Sequence, residues 1–326
     1  MSSIAALLQA AEYIDWYERG MSKEWQDLPD ELILKILSYS EVEDLISCGQ
    51  VSKRTRNISR DTSLWVIANL EEKIVKTELL ELILTKGCKI LNISDSTIVG
   101  SLSSNIKSQL RVLNLSQYAW GFPVRHEQGQ MYYEENINVL EELLSSCCSL
   151  QHLEMVGLRI TPNMAISICK NGKTLQGLNL KSSFVDDGSL DDGSSYLHNA
   201  QHGLYFTLPK TPNGNFNAII QCCQELKEVN LHCTSGEQGL ADYDLKFLVS
   251  NITPNLEEIN FWNHEVVDDH VKILLSRCKK IKALSLDTYF ITANSFALIK
   301  QYRGPQVRVI SSNRITDLAR FEIPAN

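Results

Sequence analysis

The chain of 326 residues is 44% hydrophobic and 21% charged, an ordinary globular composition that is long enough for one large domain or two. No apolar run reaches membrane-spanning length, and residues 1–11 lack the basic start and long apolar core of a secretory signal. The net charge of −8 and the near-neutral balance of residues 73–326 argue against general nucleic-acid binding, which needs a basic face.

Helix signals begin after residues 1–23, which we interpret as an N-terminal tail or short helix. Pro29 suits the start of a helix, where its missing N–H is no loss, and Asp30 and Glu31 suit the positive end of the helix dipole. The next apolar positions recur at helical spacing: Leu32, Ile33, Ile36 and Leu37. A module of ~45 residues is too small to bury all of this apolar surface, which indicates a partner.

The spaced elements of residues 24–70 resemble an F-box, the helical module that docks a substrate receptor onto an SCF-type ubiquitin ligase. The elements stand in the family's order: Leu28-Pro29-Asp30-Glu31, the apolar helix, Asp44-Leu45, Val51-Ser52-Lys53-Arg54 and Leu64-Trp65. The resemblance implies that nine residues bind the adaptor subunit of the ligase: Leu28, Pro29, Glu31, Ile33, Ile36, Leu37, Leu45, Val51 and Trp65. Trp65 would also anchor the module to the rest of the chain. The alternative is an ordinary helical bundle that uses these side chains as its own core.

Residues 71–326 repeat the pattern Leu-x-x-Leu-x-Leu, which is typical of leucine-rich repeats. Its clear copies start at Leu110, Leu150, Leu175, Leu226, Leu256 and Ile281. Each copy predicts a short strand, a turn and a returning helix, and stacked copies predict a curved α/β solenoid with parallel strands on the concave face. Three copies follow a cysteine by three residues, and we expect these cysteines to be small buried fillers: Cys147, Cys223 and Cys278.

The spacing between copies is irregular at two places. Leu110 and Leu150 lie 40 residues apart, and we interpret residues 116–133 as an insertion. Leu175 and Leu226 lie 51 residues apart, which predicts a degenerate repeat near residues 183–212 with a strand at residues 204–208. The domain organisation expected from sequence is therefore a tail, an F-box at 24–70 and a solenoid at 71–326.

The sequence offers no pattern for catalysis, a metal or a cofactor. Asn171-Gly172-Lys173-Thr174 resembles the end of a phosphate-binding loop, but the first glycine of that loop would fall at Ser167. His232 and Cys233 are adjacent on a predicted strand and should point to opposite faces. The nine scattered cysteines include no Cys-x-x-Cys pair, which predicts reduced thiols in the cytoplasm or nucleus and no zinc site. We therefore expect a protein without catalytic activity of its own.

On a strand of such a repeat the leucines point inward, and the intervening residues face the concave surface. Six of these predicted concave residues are candidates for contact with a protein substrate: Asn114, Glu154, Asn179, Glu228, Glu258 and Trp262. They predict a mildly acidic face with Trp262 as an aromatic anchor, although Trp262 could instead pack on its neighbours. In the insertion, Trp120 and Phe122 either contact the substrate or fold back onto the solenoid as a cap.

The order of an F-box followed by repeats resembles the F-box/leucine-rich-repeat family, with a layout similar to the S-phase-kinase-associated F-box proteins. The resemblance implies a substrate-recognition subunit of an SCF-type E3 ubiquitin ligase. Its partners would be the adaptor, through it the cullin, and a protein target marked for proteasomal degradation, but neither nucleic acid nor membrane. The alternatives are an adaptor-bound interaction scaffold without a role in ubiquitylation, a small-molecule-gated receptor that would need a basic or polar concave pocket, and a repeat enzyme.

Overall fold

A computed structural model shows a helical module at residues 25–65 followed by a repeated strand-and-helix unit. It describes residues 25–103, 106–117, 129–185, 214–232, 240–287, 290–303 and 308–311. The helices of the module are α1 (Asp30–Leu37), α2 (Val42–Val51) and α3 (Lys53–Ser59), flanked by 3-10 turns at Trp25–Asp27 and Thr62–Trp65. The expected N-terminal segment 1–23 lies outside the described residues.

Local polar contacts hold the short helices of the module in place. Ser52 caps α3 because its hydroxyl accepts a hydrogen bond from the Thr55 backbone N–H at 3.1 Å, and the Thr55 hydroxyl accepts one from Ser52 N–H at 3.1 Å. The Arg54 guanidinium lies 2.7 Å from the Asp30 carboxylate, which ties α3 to the start of α1.

The repeats supply the strands and the remaining helices. In chain order the strands are β1 (Ile67–Asn69), β2 (Ile74–Lys76), β3 (Ile90–Asn92), β4 (Thr97–Val99), β5 (Val112–Asn114), β6 (His152–Glu154), β7 (Arg159–Ile160), β8 (Gly177–Asn179), β9 (Phe184–Val185), β10 (Glu228–Asn230), β11 (Glu258–Asn260), β12 (Ala283–Leu286) and β13 (Arg308–Ser311). The helices are α4 (Thr77–Thr85), α5 (Gly129–Ser146), α6 (Pro162–Lys170), α7 (Gly214–Cys222), α8 (Asp242–Asn251), α9 (Asp268–Arg277) and α10 (Ala293–Arg303).

Nine of the described strands form one parallel sheet in the order β1-β3-β5-β6-β8-β10-β11-β12-β13. Strands that follow one another along the chain are therefore neighbours in space, with a helix returning the chain to the next strand, as in a solenoid. The middle residue of each strand lies in register with the next and points into the core, as Leu113, Leu153 and Leu178 do. The parallel sheet confirms the α/β fold class expected from the repeat pattern.

A recurring turn ends the strands. The last strand residue is often asparagine, and its carboxamide oxygen accepts a hydrogen bond from the backbone N–H two residues on, as at Asn92, Asn114, Asn179, Asn230 and Asn260. The third residue after the strand then takes a positive φ, near +55 to +70° at most copies: Glu72, Asp95, Gly157, Ser182 and Asn263. The sequence signal for this turn is a repeated triplet with asparagine between two apolar residues, because asparagine side chains readily bond to nearby backbone.

In three of these turns the next residue links its repeat to the one before it. The Ser96 hydroxyl donates to the Leu70 carbonyl, and the Ser183 hydroxyl donates to the Met155 carbonyl. His264 occupies the same place two repeats later, and its Nε2 bonds to the Leu231 carbonyl. These buried polar side chains fix the stacking of the strands, since each satisfies a carbonyl that is removed from water.

The two irregular spacings have different structural origins. Helix α5 begins at Gly129, inside the predicted insertion 116–133, so the end of that segment belongs to a long returning helix. Strand β8 pairs directly with β10, so no strand lies between them in the sheet. The strand predicted at residues 204–208, in the degenerate repeat near 183–212, lies outside the described residues.

The helical module and the solenoid share a continuous apolar core. Trp65 is buried within it, and its indole N–H donates to the Ser59 carbonyl at 2.8 Å. Lys73, just before β2, bridges back to Glu41 at 3.0 Å and Glu43 at 2.9 Å at the start of α2. The expected anchoring role of Trp65 is confirmed by this packing.

Candidate functional site

The outer surface of the helical module exposes apolar side chains. The exposed fraction is 78% for Val51, 63% for Tyr39 and 40% for Leu32. Leu32 and Tyr39 lie seven residues apart, two helical turns, so they belong to one side of α1 and its C-terminal extension. Because the module already buries its inner faces, these side chains are available to a partner.

The structure divides the predicted adaptor-binding residues into three groups. Pro29, Glu31 and Val51 are exposed, Leu28 is half-buried against the core, and Ile36 is half-buried. Four residues are at most 4% exposed and belong to the protein's own core, which corrects their predicted role as contact residues: Ile33, Leu37, Leu45 and Trp65.

The physical reason for this correction is that α1 is apolar on two sides. Ile33 and Leu37, four residues apart, form the side that packs inward, and Leu32 lies beside that line and faces outward. Sequence reasoning missed Leu32 and Tyr39 as exposed apolar residues of this surface. Helical spacing defines an apolar stripe, but it does not say which part of the stripe the domain itself covers.

The second candidate surface is the concave face of the sheet. The side chains at the first and third positions of the strands form two rows across this face, the first row and the third row. The first row consists of the residues that open each strand and includes Ile67, Ile90, Val112, His152, Gly177, Glu228, Glu258 and Ala283. The third row consists of the residues two positions later and includes Asn69, Asn92, Asn114, Glu154, Asn179, Asn230, Asn260 and Ser285.

A groove of about 340 Å³ lies on this face between β6 and β12. Four predicted substrate-contact residues line it, namely Glu154, Asn179, Glu228 and Glu258, and Asn114 stands in the third row next to Glu154. Concave placement of these residues agrees with the strand alternation. The carboxamide oxygens of Asn114 and Asn179 are already bonded within their own turns, so only their amide groups remain for another molecule.

Trp262 lies two residues beyond β11, at the rim of the groove, and is 37% exposed. Its ring stacks on His232 with centroids 4.2 Å apart and an interplanar angle of 28°. Burial and the nearby positive charge of Lys181 hold the pKa of His232 below its usual value, which favours a neutral imidazole. Trp262 therefore packs on a neighbour and still presents surface, and its role as an aromatic anchor for a substrate stays a prediction.

Three residues just beyond the strands are buried, because the chain turns inward at the strand ends: Ser116, Val156 and Asp287. Trp120 and Phe122 lie outside the described residues.

The buried thiols and imidazoles have structural roles. Cys147, Cys223 and Cys278 are buried, as expected, and burial raises the pKa of the Cys147 thiol to about 11 and that of Cys223 to about 12. Protonated thiols of this kind are poor nucleophiles. Burial lowers the pKa of His264 to about 4, and its Nδ1 accepts the Leu240 N–H at 2.8 Å. Among the described residues no cluster of metal-ligating side chains occurs, and no helix is long and apolar enough to cross a membrane.

Comparison with known proteins bears on both parts of the chain. Residues 25–67 match the family model described as F-box-like, and F-box domains generally bind Skp1-like adaptors. Among solved structures the chain is similar to the leucine-rich repeat-containing protein LegL7 from Legionella pneumophila, with 13% sequence identity and a TM-score of 0.35 over 73% of this chain and 70% of that chain. The strand order and register of the sheet are those of stacked leucine-rich repeats. The chain thus combines an F-box-like domain with a leucine-rich-repeat solenoid.

Proposed function

We propose that this protein is the substrate-recognition subunit of an SCF-type E3 ubiquitin ligase. The F-box-like domain docks the adaptor and, through it, the cullin. The solenoid holds a target protein so that a ubiquitin-conjugating enzyme on the cullin arm reaches its lysines, and the modified target is then degraded. The protein contributes no chemistry of its own: it raises the local concentration of the target and orients it. This role places the protein in the cytoplasm or nucleus.

The observation that carries the proposal is the F-box-like match at residues 25–67 together with the apolar side chains exposed on that domain. Val51 is 78% and Leu32 40% exposed on this domain, and an adaptor that covers them would remove their apolar surface from water. Burial of one valine or leucine side chain contributes about 1.5–3 kcal/mol. Burial of Val51 and Leu32 against the adaptor would therefore contribute favourably to docking.

The test is co-expression with the adaptor subunit followed by size-exclusion chromatography. We expect a one-to-one complex with the wild type and none with Leu32→Glu/Val51→Glu, because two carboxylates would be buried against an apolar surface. Exposed positions are preferable to Leu28, whose half-buried side chain also supports the domain's own core. The matched control is Ile166→Glu on α6, an apolar residue that is 54% exposed in the solenoid, and it should bind as the wild type does.

A second measurement separates the ligase subunit from a scaffold that only binds the adaptor. The purified complex is mixed with cullin, and cullin recruitment is measured. The turnover of proteins bound to the solenoid is followed separately in cells. A ligase subunit recruits cullin and shortens the lifetime of its bound proteins. An adaptor complex that forms without either effect would contradict the ligase role and leave the scaffold.

A further inference from the structure

The concave groove has an unbalanced charge. Three carboxylates line it, those of Glu154, Glu228 and Glu258, and its lining within the described residues includes no lysine or arginine. Neighbouring strands lie about 4.8 Å apart, and Glu228 is in register with Glu258 on the next strand. Like charges placed side by side in this way destabilise a sheet. The arrangement therefore costs folding free energy unless a positive group from elsewhere joins it.

The lysines nearest to this pair are engaged outside the groove. Lys282, whose charge lies near Glu258, is bound to Glu257. Lys227 donates to the Gln176 side chain at 3.0 Å. Both residues come directly before strand residues of the first row, so they flank the groove, and their ammonium groups are bound to residues outside its lining.

The space in the groove depends on Gly177. This residue stands in the first row between His152 and Glu228, and a Cβ atom there would lie 2.4 Å from His152 Nδ1. The absence of a side chain lets the His152 ring lean over the strand and keeps the floor open beside the acidic pair. The groove is thus shaped by two features of independent origin, a missing side chain and a row of carboxylates.

Trp262 lies just beyond the end of the groove-lining strand β11. The strand ends at Asn260, which lines the groove, and Trp262 stands two residues later in the turn that follows. An extended peptide that runs along β11 from the acidic pair towards the end of the strand would approach the indole. The tryptophan ring attracts a cationic or apolar side chain at that end.

We propose that the concave groove binds a basic, extended segment of the target protein, with a lysine or arginine held between Glu228 and Glu258 and a second side chain against Trp262. The proposal rests on the proposed function only in treating the solenoid as the target-binding part. An arginine suits the acidic pair because its planar guanidinium can bond two carboxylates at once.

The test uses the full chain and a fluorescein-labelled nine-residue peptide of alternating arginine and alanine, followed by fluorescence anisotropy. A peptide with glutamate in place of arginine serves as the ligand control. The protein variants are Glu228→Gln/Glu258→Gln in the groove and Glu225→Gln/Glu265→Gln at positions outside it. Both double variants change the net charge equally, so any difference between them reports position and not overall charge.

We expect the arginine peptide to bind the wild type and the glutamate peptide not to bind. Loss of the acidic pair should raise the Kd about fivefold or more, since each partly desolvated ion pair contributes a fraction of a kcal/mol or more. The outer control should change the Kd by less than about twofold, and Trp262→Leu should weaken binding with little change in its salt dependence.

Equal weakening by the two double variants, or no binding of the arginine peptide, would overturn the proposal. Neither result affects adaptor binding, so failure of the groove proposal is distinct from failure of the ligase role. Conversely, peptide binding by a chain that forms no adaptor complex would support the groove assignment and contradict the proposed role as a ligase subunit.

Thermal unfolding of each variant checks the fold. Glu228→Gln/Glu258→Gln should be at least as stable as the wild type because the like-charge contact is removed.

Discussion

Substitution of Asn171 by alanine should uncouple two neighbouring repeats. Asn171 follows α6 and is 1% exposed. Both the oxygen and the NH₂ group of its carboxamide bond to the preceding repeat. Its oxygen accepts the Leu150 N–H at 3.0 Å, and its NH₂ group donates to the Cys147 carbonyl at 3.2 Å and the Ser167 carbonyl at 2.9 Å. The segment that resembled a phosphate-binding loop is thus a junction between repeats.

The magnitude follows from the groups that the substitution removes from hydrogen bonding. Leu150 and Cys147 are almost fully buried, and each buried polar group left without a partner costs about 1–3 kcal/mol. We expect Asn171→Ala to lower the free energy of unfolding by about 3 kcal/mol, a large part of the roughly 5–15 kcal/mol typical of a folded protein. Urea unfolding followed by circular dichroism measures this change.

Asn163→Ala is the matched control, because Asn163 is exposed and bonds only at the surface, to Glu141 at 3.0 Å. We expect it to cost less than about 1 kcal/mol. If Asn171→Ala changed the free energy of unfolding no more than Asn163→Ala does, the buried carboxamide would not connect the repeats as described.

Three further perturbations test the repeat architecture. His264 is buried and neutral with a pKa of about 4, so its contribution to stability is complete above pH ~6.5 and is lost as the pH falls towards 4. Between pH ~7.5 and ~5 the unfolding free energy should fall by about 2 kcal/mol. This pH-dependent loss should be smaller in His264→Gln. Gly157 has a φ of +72°, and a Cβ atom added there would lie 2.3 Å from the Gln117 carbonyl oxygen. Gly157→Ala should therefore lower the free energy of unfolding in urea by more than about 1 kcal/mol. Ser182→Gly at the equivalent turn should change it by no more than about 0.5 kcal/mol. Glu228→Gln/Glu258→Gln should raise the unfolding free energy by up to about 1 kcal/mol in low salt, and a decrease would show that the two carboxylates do not repel each other.

The fold was predictable from sequence because every copy of the repeat has the same apolar side chains to bury. Each Leu-x-x-Leu-x-Leu copy has to bury the same side of a short strand, so Leu113, Leu153 and Leu178 end in one buried column. Spacing alone was less informative where the connections lengthen. A 51-residue interval predicts an additional strand by its length, whereas the β8–β10 pairing shows that the solenoid accommodates the interval without one between them.

The two candidate surfaces were predictable to different degrees. Strand alternation placed Glu154, Glu228 and Glu258 correctly on the concave face, since successive side chains of a strand point to opposite sides. It did not reveal that Glu228 and Glu258 are in register or that Gly177 opens the groove between them and His152, because register is a property of the assembled sheet. In the helical domain, the division between Ile33 inside and Leu32 outside depends on helix packing that no spacing encodes.

Shared packing between the two parts has a consequence for function. Trp65 lies in the core that continues into the solenoid, and Lys73 bridges from the first repeat to Glu41 and Glu43 at the start of α2. Two modules joined by a core and an ion-pair bridge do not behave like beads on a flexible linker. The exposed residues Leu32 and Val51 and the acidic groove therefore keep a fixed geometry relative to each other. In the proposed ligase role, this fixed geometry would present a target at one position and orientation relative to the adaptor, which would favour transfer to the lysines that lie within reach.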